Sequence, residues 1–307
     1  MRSLLILIAI FFNSCKTEMK KEYTDPYLIV LGTAQDAGFP QANCNKKCCE
    51  NAWKYPEKRR FVSCIAIVDP VSKKQWLFDA TPDIKFQLNL LEKVSKINPL
   101  SGIFLTHAHI GHYTGLIQLG KEVMGAENIP VFAMERMGNF LKNNAPWDQL
   151  EKIKNININQ LKKDSSVRIN DRIRVTPFLV PHRDEYSETV GYKIETSEKK
   201  VLFIPDIDKW HLWDKDIAKI ITEIDYAFID GTFYKDGELK RDMSNIPHPF
   251  VVESMEVFKN LSNEDKSKIY FIHLNHTNPL LQNNSLERKE VLKKGFNYAR
   301  QELIISL

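Results

Sequence analysis

The segment Thr106-His107-Ala108-His109-Ile110-Gly111-His112 holds three of the eight histidines of this 307-residue chain. It follows an apolar run typical of a buried strand, residues 102–105, and precedes a helix predicted over residues 113–125. Imidazoles with this spacing cannot share one face of a helix or a strand, but on the turn between two elements they can converge on one point. Convergent neutral imidazoles at the end of a rigid strand are what a catalytic Zn²⁺ site requires. The segment therefore predicts a metal site.

The composition is that of a globular protein, with 43% hydrophobic residues and enough length for one large domain or two small ones. Lys and Arg number 43 against 39 Asp and Glu, a net charge of +4. This balance does not favour nucleic acid as a partner, so a small-molecule substrate is expected. Beyond the first dozen residues, no apolar run is long enough to span a bilayer.

The N-terminus has the features of an export signal. Arg2 precedes the apolar run Leu4 to Phe12, and small residues lead to Cys15. The pattern resembles a bacterial lipoprotein signal, which predicts a signal peptide over residues 1–15 with lipidation at Cys15, a polar tether over 16–26 and a folded domain over 27–307. The protein would then be lipid-anchored to the cell-envelope membrane, facing the periplasm or the exterior. A cleaved signal with an ordinary cysteine, an N-terminal anchor and an unprocessed cytoplasmic chain are the alternatives.

The remaining cysteines lie within the first 64 residues. Cys64 sits in an apolar, strand-like run and is interpreted as a small buried hydrophobe. Cys44, Cys48 and Cys49 form a cluster in which a disulfide between the neighbours 48 and 49 would be strained. A thiolate metal site is the favoured interpretation, and reduced surface cysteines are the alternative.

Strand-like and helical patterns alternate along the chain, which predicts a mixed α/β layered domain. Strands are predicted over residues 27–32, 62–69, 75–79, 102–106, 131–133, 173–180, 191–196, 201–205, 226–229 and 268–273. Helices are predicted over residues 83–96, 113–125, 135–143, 214–222, 249–260 and 285–301, with residues 143–171 as an insertion or long loop. Side chains suited to chemistry close several of these strands, where they would meet on one rim of a sheet: Asp79, His107, His182, Asp206, Asp230 and His273.

With these residues in view, the chain resembles the metallo-β-lactamase superfamily over nearly all of its length after the leader. The family signature is His-x-His-x-Asp-His on a strand-to-helix loop, then a distant His, a bridging Asp and a last His. These positions correspond to His107, His109, His112, His182, Asp206 and His273. The resemblance implies an αββα four-layer sandwich with one metal ion on His107, His109 and His182. It implies a second ion on His112, the motif Asp and His273, with Asp206 bridging the two.

Within the superfamily, the chain is similar to the pyrroloquinoline-quinone biosynthesis protein B (PqqB-like) group and to the phosphonate-operon cyclic phosphodiesterase. It is more remotely similar to the tRNA 3′-end processing nucleases. The resemblance rests on five strings: Leu31-Gly32-Thr33-Ala34, Gly38-Phe39-Pro40-Gln41, Asn43-Cys44, Asp230-Gly231-Thr232-Phe233 and His273-Leu274-Asn275-His276-Thr277-Asn278-Pro279.

The chain departs from the signature at Gly111, which stands where the family has Asp. The second ion would lose a carboxylate ligand, so that site is expected to bind more weakly, to prefer another metal or to stay empty. Asp36 and Asp208 are two candidates for a substitute carboxylate.

The resemblance also implies roles for other residues. Cys44, Cys48 and Cys49 would form a structural Zn²⁺ site closed by His276, joining the N-terminal loop to the C-terminal core. Asp79 would support the histidine loop through hydrogen bonds. His248 would stabilise or protonate a leaving group, with a helix-start residue as the alternative, and His211 is interpreted as structural.

These features predict a metal-dependent hydrolase acting on a phosphodiester or related ester, with one or two Zn²⁺ ions, or Fe or Mn, in the active site. A bound metal lowers the pKa of its water from about 15.7 to about 7, which supplies hydroxide at neutral pH; Asp206 would orient that hydroxide. One alternative is an iron-dependent oxygenase of the PqqB-like group, because imidazole and carboxylate ligands also suit Fe(II). Another is a degenerate, metal-stapled binding protein without activity.

Overall fold

A computed structural model describes residues 23–307 as two β-sheets with helices on their outer faces. The strands are β1 Tyr27–Gly32, β2 Cys64–Asp69, β3 Lys74–Phe78, β4 Gly102–Phe104, β5 Ile129–Ala133, β6 Ile156–Gln160, β7 Val167–Arg168, β8 Arg174–Leu179, β9 Val190–Glu195, β10 Lys200–Ile204, β11 Tyr226–Asp230, β12 Ile269–Ile272, β13 Asn297–Tyr298 and β14 Ile304–Ser306. The helices are α1 Lys47–Lys54, α2 Ile84–Ser95, α3 Ile110–Tyr113, α4 Glu135–Asn143, α5 Trp147–Lys152, α6 Ile217–Thr222, α7 Val251–Val257, α8 Asn263–Ser267 and α9 Leu286–Lys293. Short 3-10 turns cover Pro56–Lys58, Thr114–Leu119, Trp210–Leu212 and Pro279–Leu281.

Each sheet has seven strands, in the orders β14-β1-β2-β3-β4-β5-β6 and β13-β12-β11-β10-β9-β8-β7. In the first sheet β3, β4, β5 and β6 run parallel, and in the second β10, β11, β12 and β13 do. Parallel strands end at the same edge of a sheet, so the segments that follow them are brought together. Asp79, His107, Asp206 and His273 follow such strands. His182 follows β8, which an antiparallel strand separates from β10 and which therefore runs in the same direction as β10.

Alternation along single strands explains the layering. In β1, Leu28 and Val30 pack between the two sheets, whereas Ile29 and Leu31 pack under the helices of the first sheet. Successive side chains of a strand point to opposite faces, so a strand that is apolar throughout requires cover on both sides. The result is the predicted αββα sandwich: α2, α4 and α5 cover the first sheet, and α6, α7 and α9 cover the second.

Three secondary-structure predictions are wrong. A helix is predicted over residues 113–125, but α3 ends at Tyr113 and a 3-10 turn follows it. The carbonyl of His112 accepts from the amide of Ala80, and the amide of Gly115 donates to the carbonyl of Ala80, so these groups are not available for an α-helical ladder.

The helix predicted to reach Gln301 stops at Lys293, because Gly295 adopts a φ of +88° and the chain then pairs as β13 with β12. Residues 143–171 are not a long loop. They form α5, the edge strand β6 and β7, with Ile156 of β6 buried and the other residues of that strand partly or fully exposed.

The predicted signal peptide, Cys15 and residues 16–22 of the predicted tether lie outside the described residues, so these remain predictions. Within residues 23–307 we find no helix with the length and apolar character needed to span a membrane.

We expect Phe78→Ala to lower the free energy of unfolding by about 3–5 kcal/mol, because it empties space at the centre of the sandwich. The Phe78 ring is fully buried, stacks on Phe104 and meets Tyr192 and Phe203 edge-on. Denaturant titration measures the effect. Val71→Ala, at a site 68% exposed, is the control, and equal effects of the two substitutions would contradict the assignment of this core.

Candidate metal centre

The candidate ligands occupy segments that follow strand ends at one rim of the sandwich. Asp79 follows β3, the histidine turn follows β4, and His182 follows β8. Asp206 follows β10, and His273 follows β12. Asp79 and His273 adopt left-handed backbone conformations, with φ of 73° and 63°. Such conformations cost about 1–3 kcal/mol outside glycine and persist where the surrounding structure imposes them, often at functional sites.

A first cluster consists of His107, His109, His182 and Asp206, with one ligand atom from each residue within 4.8 Å of the others. Nε2 of His107 lies 2.9 Å from Nδ1 of His109 and 3.3 Å from Oδ2 of Asp206. Nε2 of His182 lies 3.3 Å from Oδ1 of Asp206. Three imidazoles and one carboxylate therefore face a common point, as in an open zinc site.

A second cluster consists of Asp36, His112 and His273. Oδ1 of Asp36 lies 3.2 Å from Nε2 of His112 and 3.7 Å from Nε2 of His273. Oδ2 of Asp206 lies 3.7 Å from the same nitrogen of His112 and 3.9 Å from that of His273. Asp206 thus stands between the two clusters, in the position of a bridging carboxylate.

Two threonine hydroxyls determine which ring nitrogens face the centre. Oγ1 of Thr106 lies 2.9 Å from Oδ1 of Asp79, and because a carboxylate only accepts, the hydroxyl must donate its proton there. The hydroxyl then accepts from Nδ1 of His107, 3.0 Å away, so Nε2 of His107 is left unprotonated toward the centre. Nδ1 of His112 is likewise 2.7 Å from Oδ2 of Asp79.

The second sheet repeats this arrangement. Oγ1 of Thr232 donates to Oδ1 of Asp230 at 2.7 Å and accepts from Nδ1 of His273 at 2.9 Å. Nδ1 of His248 donates to Oδ2 of Asp230 at 2.8 Å and lies 3.1 Å from Oδ1 of Asp206. These bonds direct Nε2 of His273 at the second cluster and leave Nε2 of His248 as that ring's available nitrogen.

The donor atoms of both clusters fit a divalent cation. Among the described residues, the buried polar atoms without a hydrogen-bond partner include Oδ1 of Asp36, Nε2 of His112, both ring nitrogens of His182, Oδ1 of Asp206 and Nε2 of His273. Buried polar atoms are almost always paired, so a cluster of unpaired imidazole nitrogens and carboxylate oxygens fits the coordination of a cation. Imidazole and carboxylate donors suit Zn²⁺, Fe²⁺ and Mn²⁺.

The histidines of the first cluster differ in protonation from His112 of the second. Burial lowers the pKa of His107 well below its usual value and also lowers the pKa of His109 and of His182, so these imidazoles are neutral as ligands must be. Burial alone would lower the pKa of His112. The carboxylates of Asp79 and Asp36 raise it, and the result is a pKa well above the usual value. Without a cation, a proton on His112 balances carboxylates that a metal ion can balance instead.

The cysteine cluster forms a separate site. Sγ of Cys44, Cys48 and Cys49 and a ring nitrogen of His276 lie within 4.8 Å of one another, and Nδ1 of His276 has no hydrogen-bond partner. Within the described residues the cysteines are free, in agreement with the expectation against disulfides. Burial raises the pKa of the Cys49 thiol to about 12, so a bound cation would have to displace its proton.

A cavity of about 520 Å³ is lined by residues of both sites, His248 beside Asp206 and His276 of the cysteine cluster. Its lining carries four cationic side chains and no carboxylate: Lys46, Arg183, Lys240 and Arg241. The other lining residues are Gln35, Gln41, Phe233, Leu239, Ile246, Pro247 and Asn275.

Comparison with known proteins assigns the class. Residues 74–274 match the family model of the beta-lactamase superfamily domain, so the chain belongs to the beta-lactamase superfamily. Coenzyme PQQ synthesis protein B of Pseudomonas putida (strain GB-1) is 26% identical over 92% of this chain and 100% of its own length. The protein of the same name from Methylobacillus flagellatus (strain ATCC 51484 / DSM 6875 / VKM B-1610 / KT) is 27% identical over the same shares.

Two solved structures share the fold. Zn²⁺-bound PqqB from Methylobacterium extorquens superposes with a TM-score of 0.77 at 23% identity, over 92% of this chain and 100% of that one. A diphosphatase from the PhnP family gives a TM-score of 0.65 at 20% identity, over 92% and 97% of the two chains. At these identities the likeness establishes the fold alone.

Every predicted metal ligand lies in one of these clusters. Of the two candidates for a substitute carboxylate, only one does. Asp36 lies in the second cluster, whereas the amide of Asp208 binds the carbonyl of Pro181 and its carboxylate accepts from the amide of Lys209. His211 is exposed on a 3-10 turn.

The sequence interpretation missed Thr106 and Thr232. Thr106 directly precedes the predicted strand-end residue His107, and Thr232 lies two residues beyond the predicted strand-end residue Asp230. It also missed the cationic cavity, whose residues come from distant segments and share no spacing.

We expect Thr106→Val to weaken metal binding at the first cluster by about 10–100-fold, because it removes the hydroxyl that orients His107 without changing side-chain volume. Competition with a chelator measures the affinity. Thr106→Ser keeps the hydroxyl and should bind as the parent does. Equal affinities for the Val and Ser variants would contradict this role of the hydroxyl.

Proposed function

We propose that the protein is a metal-dependent hydrolase that cleaves a phosphodiester or a related anionic ester. The observation that carries the proposal is the position of the imidazole and carboxylate clusters beside a cationic cavity without carboxylates. His248 lines that cavity, and its Nδ1 is 3.1 Å from Oδ1 of Asp206, so the cavity wall is one side chain away from the candidate metal centre.

The charge of the cavity favours an anion. Lys46, Arg183, Lys240 and Arg241 are exposed side chains that surround a space large enough for a small molecule. Cations that converge on a cleft attract and orient a negatively charged substrate. A phosphodiester has this charge, and the chemistry of a divalent ion on imidazole and carboxylate ligands suits its hydrolysis.

Each residue then has a defined task. His107, His109 and His182 would hold one ion, and His112 and His273 would contribute to a second. When bound, such an ion supplies Lewis-acid polarisation and a water of lowered pKa. Asp206, which lies between the two clusters, would accept a hydrogen bond from the attacking water and orient it toward the ester. His248 lines the cavity, and its Nε2, the nitrogen not bonded to Asp230, would stabilise the leaving group or donate a proton to it.

The cysteine cluster is proposed to hold a structural Zn²⁺ that joins the loop before α1 to the segment after β12. Lys46 of the cavity wall stands between Cys44 and Cys48, so the same ion would fix one side of the proposed substrate site. Lipidation at Cys15 and a position at the cell envelope are part of the proposal, on the N-terminal pattern alone.

A second candidate function is an oxidation of the kind the PqqB-like resemblance implies. The similarity to Coenzyme PQQ synthesis protein B over 92% of this chain favours it. Imidazole and carboxylate ligands suit Fe²⁺ as well as Zn²⁺. The two candidates differ in a measurable requirement, because only the oxidation consumes O₂.

We expect the purified protein to carry at least two kinds of metal site that are lost independently. Cys44→Ser should remove about one Zn²⁺ and leave the histidine-dependent metal in place. His107→Ala should do the reverse and abolish hydrolysis of bis(p-nitrophenyl) phosphate. Elemental analysis and product release measure both.

The proposal fails if the parent carries only the cysteine-dependent ion and cleaves no phosphodiester, anaerobically or in air. That result would favour a binding protein. Turnover of a substrate only with Fe²⁺ and O₂ would favour the oxidation.

We expect Lys240→Ala and Arg241→Ala each to raise KM about two- to fivefold for an anionic phosphodiester, with kcat little changed, because an exposed charge contributes about 1 kcal/mol or less. The effect should fade at high salt. Lys235→Ala is the matched control, since Lys235 lies in the same segment but not in the cavity lining. Equal KM changes in all three variants would contradict the assignment of the cavity as the substrate site.

A further inference from the structure

Gly111 leaves a gap in the histidine signature, and the structure shows what lies against it. A Cβ added at Gly111 would stand 2.5 Å from Cα and 2.9 Å from Cβ of Asp36, and closer still to Oδ1 of Asp36. Real Cβ atoms essentially never approach other heavy atoms below 3.0 Å. Asp36 therefore occupies the space that a side chain at position 111 would enter. It lies 75 positions before Gly111 in the sequence.

The carboxylate of Asp36 is directed at the second cluster. Its Oδ1 is 3.2 Å from Nε2 of His112 and 3.7 Å from Nε2 of His273. All three atoms are buried and without a hydrogen-bond partner. The hydrogen bonds to Nδ1 of His112 and of His273 leave those Nε2 atoms facing Oδ1.

The backbone holds Asp36 in register with His273. The amide of Gln35 donates to the carbonyl of Leu274 at 2.9 Å, and the amide of Leu274 donates to the carbonyl of Thr33 at 2.8 Å. The side chains of Gln35 and Asn275 are also hydrogen-bonded to each other. Because these bonds flank Asp36 on one side and His273 on the other, the two side chains are positioned as a pair before any ion binds.

We infer that Asp36 takes over the coordination position of the absent motif carboxylate, so that Asp36 and Gly111 form a compensating pair. The second ion then has a ligand set of Asp36, His112, His273 and the bridging Asp206, the same donor types that the signature supplies. The glycine is required by this arrangement, because any side chain at position 111 would displace the carboxylate that replaces it. The chain therefore has a complete second site rather than a degenerate one.

This inference rests on the metal centre of the proposed function, and metal binding, not activity, is its readout. The probe is Zn²⁺ alone, titrated into the metal-depleted full chain, with stoichiometry and affinity measured by calorimetry and elemental analysis. Asp36→Ala is compared with the parent and with Asp208→Ala, because the carboxylate of Asp208 belongs to neither cluster and accepts from the amide of Lys209.

We expect Asp36→Ala to lose one histidine-dependent ion, or to bind it at least about tenfold more weakly, since even residues that only orient ligands change affinity by about 10–100-fold. The other histidine-dependent ion and the cysteine-dependent ion should remain, and Asp208→Ala should bind as the parent does. Retention of both histidine-dependent ions at parental affinity in Asp36→Ala would overturn the inference. A parent that binds no histidine-dependent ion at all would instead defeat the proposed function.

The reciprocal substitution tests the compensation. Gly111→Asp restores the family signature, yet it should lower both the melting temperature and the affinity for the second ion, because its side chain collides with Asp36. Adding Asp36→Gly removes Oδ1 and Cβ, two of the three atoms that the new side chain meets, so affinity should recover in part relative to Gly111→Asp alone. Tighter binding in Gly111→Asp alone, or no recovery in a folded double variant, would overturn the claim that the two carboxylates are alternatives for one position.

Discussion

Hydrogen bonding by two buried aspartates at strand ends is the constraint on which the centre depends. Asp79 in the first sheet and Asp230 in the second each accept from a threonine hydroxyl, and each hydroxyl in turn accepts from the Nδ1 of a metal-facing histidine. A hydroxyl has only one proton, so its donation to the carboxylate decides the tautomer of the imidazole beside it. Both aspartates are fully buried, and a buried carboxylate without such partners would be costly. The same bonds that satisfy the core of each sheet thus present unprotonated Nε2 atoms at the rim.

The rim itself could be predicted from sequence because it follows from chain direction. A strand pattern ending in His107, Asp206 or His273 is local information, and parallel strands then bring their ends together. Strands that are apolar on both faces, as β1 is, predict a layered domain with cover on both sides of a sheet. The αββα order of the layers was implied by the family resemblance. The local pattern failed where tertiary contacts decide the backbone. The segment after Tyr113 was predicted to be helical, but its backbone groups bond to Ala80. The region of β6 was predicted to be a loop because most side chains of this edge strand face solvent.

The choice between Asp36 and Asp208 could not be made from sequence at all, since it depends on the pairing of residue 35 with residue 274.

The cysteine cluster and the cavity show how distant segments are made into one site. Cys44, Cys48 and Cys49 flank the start of α1, and His276 follows β12, so an ion on these residues would join the segment between β1 and β2 to the segment after β12. Gln282 adds a hydrogen bond from its amide to the carbonyl of Cys48 at 3.0 Å. Lys46 and His276 both line the cavity, and His248 closes it on the side of Asp206. An ion at this cluster would stabilise the fold and would also position Lys46 at the proposed substrate cavity.

Charge balance explains why this centre calls for cations. Four carboxylates meet there, those of Asp36, Asp79, Asp206 and Asp230, and the imidazoles of the first cluster are neutral. Burial opposes protonation of His248, but Asp230 and Asp206 raise its pKa to about 10, and Asp79 and Asp36 raise that of His112. Protons on these two rings offset only half of the carboxylate charge. The remaining negative charge lies beside imidazole nitrogens that have no hydrogen-bond partner. Uncompensated charge is costly in a protein interior that excludes water, and divalent ions would neutralise it. With that charge neutralised, the proposed substrate cavity would keep the positive charge of Lys46, Arg183, Lys240 and Arg241, which would attract an anion.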